Sequence, residues 1–168
     1  MVTSIRNRRS IRKFRQLPAD NEKITSVLRA AMQAPSAGNT QCWEFIVVKD
    51  EEAKKFIASM SRYSSMAGDA AFVIITLANL KKTMNDMLWW VEDLSAATEN
   101  ILLQLEEEGL GGVWIGTWPD EDRVRKLREF FSIPEDVVPF SVVACGYKGE
   151  EKPFEDRYDE NKVHWERY

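Results

Sequence analysis

Apolar positions recur at helical spacing in four stretches of this chain and run together in four others. Ile24, Val27, Leu28, Ala31 and Met32 share one helix face; Asp20 stands where a cap belongs, and Pro35 and Gly38 stop the pattern. Phe45-Ile46-Val47-Val48 predicts a buried strand, followed by a short helix capped by Asp50 and carrying Phe56, Ile57 and Met60. Ala71 to Ala78 shows little polar alternation, which predicts a strand covered on both faces. The longest periodic stretch runs from Met84 to Glu108, and Gly109 or Gly111 ends it. Leu88, Val91, Leu94, Ile101, Leu102 and Leu105 give it a wide apolar band, so the helix is expected to be buried on more than one side. Small Ser95, Ala96 and Ala97 at its middle let two backbones approach, which points to a homodimer core. Gly112 to Gly116 predicts a strand with close backbone approach at its glycines. Pro119 and Asp120 open a helix through Val124, Leu127 and Phe130, and Val138 to Tyr147 is the last strand. Helices interspersed with strands, without repeat or linker, predict one layered α+β domain over residues 1–168.

Composition narrows the picture. With 168 residues, 44% of them hydrophobic, one domain with a substantial core is expected. A net charge of −4 gives no reason to expect nucleic-acid or membrane-surface affinity. The charge is unevenly spread: Arg6, Arg8, Arg9, Arg12, Lys13 and Arg15 all precede the first acid, Asp20, which suggests a local anion site. Cys42 and Cys145 form no CxxC pair, so reduced thiols in a cytoplasmic protein are expected, and the lone His164 removes most His-based metal sites. No apolar run approaches the roughly 20 residues of a membrane span, and arginines occupy the place of a signal peptide's apolar core. Phe154, Tyr158, Trp165 and Tyr168 make the tail from Gly149 onward costly to leave in water, so it is expected to pack on a partner surface.

Two N-terminal segments carry candidate chemistry. Arg8 and Arg12, flanking Ser10, offer planar forks and a hydroxyl suited to a phosphate, although taken alone they read first as a solvated basic terminus. Asn39 and Gln41, on a turn made by Pro35 and Gly38, offer amides that match the donor and acceptor edge of a planar ring, although taken alone they read first as an ordinary helix-to-strand loop. Trp43 reads as core, and Trp89-Trp90 as core or dimer packing ahead of a pocket lining. His164 reads as a packed surface residue, Glu106-Glu107-Glu108 as a solvated helix face, and Cys42 as an inert thiol whose rival is a redox-sensitive one.

Arg8-Arg9-Ser10-Ile11-Arg12-Lys13-Phe14 and Ala34-Pro35-Ser36-Ala37-Gly38-Asn39-Thr40-Gln41-Cys42-Trp43 together resemble the two N-terminal signatures of the nitroreductase family. Asp93 to Asn100 is similar to that family's central-helix pattern, Gly109 to Gly116 to its GLGxxWIG stretch, and Lys152-Pro153, Arg157 and Val163-His164-Trp165 to its closing segment. The resemblance implies a nitroreductase-like α+β fold, with a central mixed or antiparallel sheet flanked by helices and the long helix at a homodimer interface. It implies FMN at each of two interfacial sites, NADH or NADPH as electron donor, and a small acceptor such as a nitroaromatic or quinone. Hydride would pass to ring N5 and electrons onward in a ping-pong cycle, with no catalytic side chain and no metal. Arg8, Arg9, Ser10 and Arg157 are then the phosphate segment, and Arg12 reaches the N1/C2 edge of the ring. Pro35, Ser36, Ala37, Asn39 and Gln41 meet the ring of the FMN held mainly by the other subunit, while Ile115, Gly116 and Thr117 line its N5 side. Cys42 stands where the family often has proline, and the chain is short for the family, which leaves the substrate side open. A flavin reservoir or redox sensor, and a reductive dehalogenase or flavin-destroying enzyme on the same fold, are the rival readings.

Overall fold

The computed structural model describes residues 1–84 and 88–168. Four strands, β1 (Trp43–Val48), β2 (Phe72–Asn79), β3 (Gly111–Gly116) and β4 (Val137–Gly146), form one sheet in the order β1-β2-β4-β3, antiparallel throughout. Helices cover both faces: α2 (Asn21–Ala31) and α4 (Trp89–Glu107) on one, α3 (Glu51–Ser59) and α5 (Glu121–Phe131) on the other.

Every residue of β2 and β4 except Asn79 is buried, which is why their sequences read as continuous apolar runs. The period of two survives in the direction of the side chains. Val73, Ile75, Val142 and Ala144 join Ile57 of α3 and Leu127 of α5. Phe72, Ile74, Val143 and Cys145 join Val27 of α2 with Ile101 and Leu105 of α4. A third cluster, holding Cys42, Trp43, Trp90, Leu94 and Phe140, closes one end of the sheet. Between the layers Thr76 Oγ1 and Ser141 Oγ lie 2.8 Å apart, and Thr98 Oγ1 of α4 stands 3.2 Å from the same serine. This buried hydroxyl string ties β2, β4 and α4 together.

The helix ends follow local chemistry. Asp50 accepts the Ala53 N–H at 2.8 Å and Asp120 the Arg123 N–H at 3.2 Å, each satisfying one free helix donor. Asp20 occupies the cap position of α2 but makes no side-chain capping bond. At the end of α4, Gly109 takes φ +71°, with Leu110 N–H bonded to Leu105 O and Gly109 N–H to Glu106 O, the paired bonds of a glycine-terminated helix.

Several expectations are corrected. The long helix begins at Trp89 rather than Met84: Met84 and Leu88 precede it, and Asn85, Asp86 and Met87 fall outside the described residues. A five-residue helix, α1 (Thr3–Asn7), forms where only a basic arm was read. Trp43 and Trp90 are core, whereas Trp89 is 39% exposed. Glu106 is not solvated: its carboxylate, 14% exposed, pairs with Lys148 at 2.5 Å.

Candidate functional site

The arm that follows α1 is laid along the start of β3. Ser10 bridges Gly112 in parallel, Ile11 N–H donates to Gly112 O at 3.0 Å, and Ile11 and Phe14 are buried. The glycine pair makes this approach possible, because a Cβ at Gly111 would stand 2.7 Å from Ile11 Cγ1. Two buried apolar anchors therefore fix the arm, with Arg12 between them and Arg8 and Arg9 just ahead. Arg8 Nε lies 3.4 Å from Glu99 of α4, whose carboxyl is raised above its ordinary range by burial, partly offset by Arg8. Among the described residues no hydrogen bond engages the two Nη groups of Arg8. Arg9 is committed to the backbone: it donates to Pro153 O at 2.8 Å, Arg6 O at 2.9 Å and Arg8 O at 2.6 Å, binding the tail to the arm. Arg12 keeps its guanidinium near the surface, 3.4 Å from Ser10 O, while its N–H donates to Glu150 at 2.6 Å. Arg8, Arg9 and Arg157 line a single cavity of about 290 Å³ with Phe154, Tyr158 and the acids Glu155 and Asp156, whereas Ser10 and Arg12 lie outside it.

The amide-bearing turn is a separate construction. Gly38, Asn39 and Gln41 all take positive φ, at +59°, +56° and +48°. Left-handed backbone at two non-glycine residues persists only where the surroundings over-determine it. Ser36 Oγ accepts the Gln41 N–H at 3.0 Å, and Gln41 Nε2 donates to Asn39 Oδ1 at 3.0 Å, so the two amides are held as a pair. Asp93 of α4, 5% exposed, accepts the Ala37 N–H at 2.9 Å and the Cys42 thiol at 3.8 Å. It anchors the turn to the long helix, a role its place in the helix pattern did not reveal. Burial, and then the Asp93 carboxylate, push the Cys42 thiol up to about 11, so it is an inert packed thiol; burial likewise raises Cys145. Pro35, Ser36, Ala37, Asn39 and Gln41 thus form one surface, which does not join the arginine cavity within the chain.

The third element is the far end of β3. Since Ile11 reaches the Gly112 carbonyl from outside the sheet, the even-numbered residues of β3 turn their backbone groups away from β4. Gly116 is one of these; it is exposed, with no atom within 4 Å of where a Cβ would stand. Ile115 is buried beside it, and Thr117, 1% exposed, keeps a buried Oγ1 that has no partner among the described residues. Four residues of strand, roughly 13 Å, separate Gly116 from the arm at Gly112. Arg123, which the sequence reading passed over, donates from Nη1 to Gly116 O at 2.7 Å. The signal for it was Asp120 three residues earlier, a cap and counter-ion at once.

This layout has close counterparts. The nitroreductase family model matches residues 5–63 and 58–147. A crystal structure of a provisionally named NADH oxidase from Clostridium acetobutylicum superposes with a TM-score of 0.94 at 43% identity, covering 98% of this chain and 99% of that one. An FMN-dependent nitroreductase from Clostridium difficile superposes at 0.91 with 32% identity over 100% of both chains. A protein of Archaeoglobus fulgidus, provisionally named an NADH dehydrogenase/NAD(P)H nitroreductase, is 43% identical over 98% of this chain and 96% of its own. The chain belongs to the nitroreductase family.

Proposed function

We propose that this chain is an FMN-dependent NAD(P)H oxidoreductase that reduces small electrophilic acceptors such as nitroaromatics or quinones, working as a homodimer with FMN at the subunit interface. Bound FMN supplies the redox chemistry, accepting two electrons from NADH or NADPH and returning them to the acceptor. The observation that carries this reading is the two-ended strand β3: arginine donors beside its start, and at its finish an open glycine with an unpartnered buried hydroxyl.

The residues fit that group. Among the described residues nothing engages the Nη donors of Arg8, and Arg157, 76% exposed and 4.0 Å from Glu155, is weakly engaged; with Ser10, just outside their cavity, they would supply the phosphate end. Arg9 fixes the arm through its three carbonyls, so its share is to hold the cavity wall. Arg12 brings positive charge to the ring's N1/C2 edge, favouring a reduced, anionic ring. Gly116, flanked by Ile115 and Thr117, would present its backbone to the N5 side, where its missing side chain would leave room for hydride approach.

The turn of Pro35, Ser36, Ala37, Asn39 and Gln41 meets the ring held by the partner, which accounts for its distance from the arginine cavity of its own chain. The dimer is supported by exposed apolar groups that water disfavours: Ile5 of α1, Trp165 at 83% and Tyr168 at 106% exposure. No helix of the described residues is long and apolar enough to cross a membrane.

The test is the visible spectrum of purified protein incubated with FMN and freed of excess. Retained flavin bands that NADH or NADPH bleaches anaerobically, with parallel-line kinetics when donor and acceptor are varied together, are expected. A protein that retains no flavin overturns the reading.

A further inference from the structure

We propose that Arg123 is a positioning residue of the flavin site: it clamps the Gly116–Thr117 peptide so that the Gly116 carbonyl is withheld from ring N5. The inference rests on the reading above, that Gly116 borders the N5 side. Its observations are three. The guanidinium, 22% exposed, is held by Asp120, whose Oδ2 lies 3.0 Å from Nε and whose Oδ1 accepts the Arg123 N–H. Nη1 donates to Gly116 O at 2.7 Å, a charge-assisted bond. That carbonyl is on an outward-facing position of β3, at an exposed residue with open space where a side chain would be.

The chemistry gives the clamp a purpose. N5 of an oxidised flavin bears a lone pair and is an acceptor, so it is matched by an N–H and repelled by a carbonyl oxygen. Once N5 carries a proton it becomes a donor, and a nearby carbonyl then stabilises the protonated ring. Glycine lets a peptide plane rotate at low cost, having no Cβ to restrict φ and ψ. An unclamped peptide at 116 is therefore able to turn its oxygen to N5–H as the ring gains electrons singly. With the oxygen bonded to a guanidinium that Asp120 immobilises, rotation costs a charge-assisted hydrogen bond. Arg123 thereby biases the site toward passing electrons in pairs.

The experiment reads the flavin's radical signal at half reduction. Wild-type and Arg123→Met holoprotein are titrated anaerobically with dithionite in the presence of FMN, and the radical is quantified by electron paramagnetic resonance. The signal is expected to rise about two- to threefold in Arg123→Met, because two radicals replace one oxidised and one doubly reduced ring, so the net gain is one hydrogen bond and the radical population follows the square root of that change. If Arg123→Met does not fold, Arg123→Gln, whose amide stops short of the carbonyl, is expected to give the same rise. A variant that holds FMN with an unchanged radical signal overturns the proposal and leaves the flavin reading intact. Loss of FMN from both variants, with wild type still binding it, assigns Arg123 to affinity and also overturns the clamp. Wild type that binds no FMN defeats the underlying reading instead.

Discussion

Removing the Asp93 carboxylate tests whether the amide-bearing turn is held from the long helix. Asp93 is 5% exposed and accepts the Ala37 N–H at 2.9 Å and the Cys42 thiol at 3.8 Å. In Asp93→Ala the Ala37 N–H loses a charged acceptor in a part-buried place. A hydrogen bond to a charged group contributes about 1.5–3 kcal/mol. The thiol contact is long and adds little, and relief from burying a charge subtracts something, so a net loss of about 2 kcal/mol is expected. For a chain of this size that lowers Tm by about 4–8 °C. Asp93→Asn retains an acceptor for Ala37 without the charge and should lose about half as much. The assay is urea unfolding of flavin-free protein at fixed chain concentration, because ligand and assembly both shift apparent stability. A second readout follows from Cys42. Since Asp93 is one of the two main causes that push its thiol up to about 11, both variants should bring its titration down. An Asp93→Ala protein within 0.5 kcal/mol of wild type, roughly the scatter of a neutral surface substitution, with Cys42 titrating unchanged, would refute the anchoring argument.

Gly112→Ala places a Cβ 2.7 Å from Leu105 Cδ1 and 3.1 Å from the Ala144 carbonyl, so overpacking of about 1–3 kcal/mol is expected in urea unfolding. Ser132 ends α5 at φ +53° while exposed, so Ser132→Gly should raise stability by about 0.5–1 kcal/mol, read from the same titration. Glu150 accepts the Arg12 N–H and lies near Lys152, and both lower its carboxyl below the ordinary value of 4.5. Its contribution is therefore complete above that unfolded value and is lost as pH falls through the lower, folded one. Unfolding free energy plotted against pH should fall less steeply below the ordinary glutamate range in Glu150→Gln than in wild type.

The strands and the bodies of the longer helices were legible because each carries enough apolar residues for a period to emerge. Five residues of α1 are too few to show one, and Arg6 within them and Arg8 just after read equally well as a solvated arm. The start of α4 was misplaced because Met84 and Leu88 fit the helical period although neither lies in the helix. At the site, glycines and arginines marked the segments, since a close approach or an anion constrains residue type locally. What fixes those segments in place was not legible. Asp93 reaches Ala37 across 56 residues, and Arg9 reaches Pro153 across 144, and no local pattern encodes either contact. Resemblance supplied the segments' order and the roles proposed for them; packing supplied the contacts of Asp93 and Arg123.

The hydroxyl string of Thr76, Ser141 and Thr98 solves a problem the central strands create for themselves. β2 and β4 are apolar on both sides, so sliding one past the other exchanges Val for Ile or Ala and alters little in the count of buried carbon. Hydroxyls are not interchangeable in that way. A slipped alignment would bury Thr76 facing methyl groups without a partner, at a cost of about 1–3 kcal/mol, and would leave Ser141 only its longer contact with Thr98. Only the native alignment places them 2.8 Å apart. Three small polar groups thus proofread the pairing of two strands whose hydrophobicity cannot.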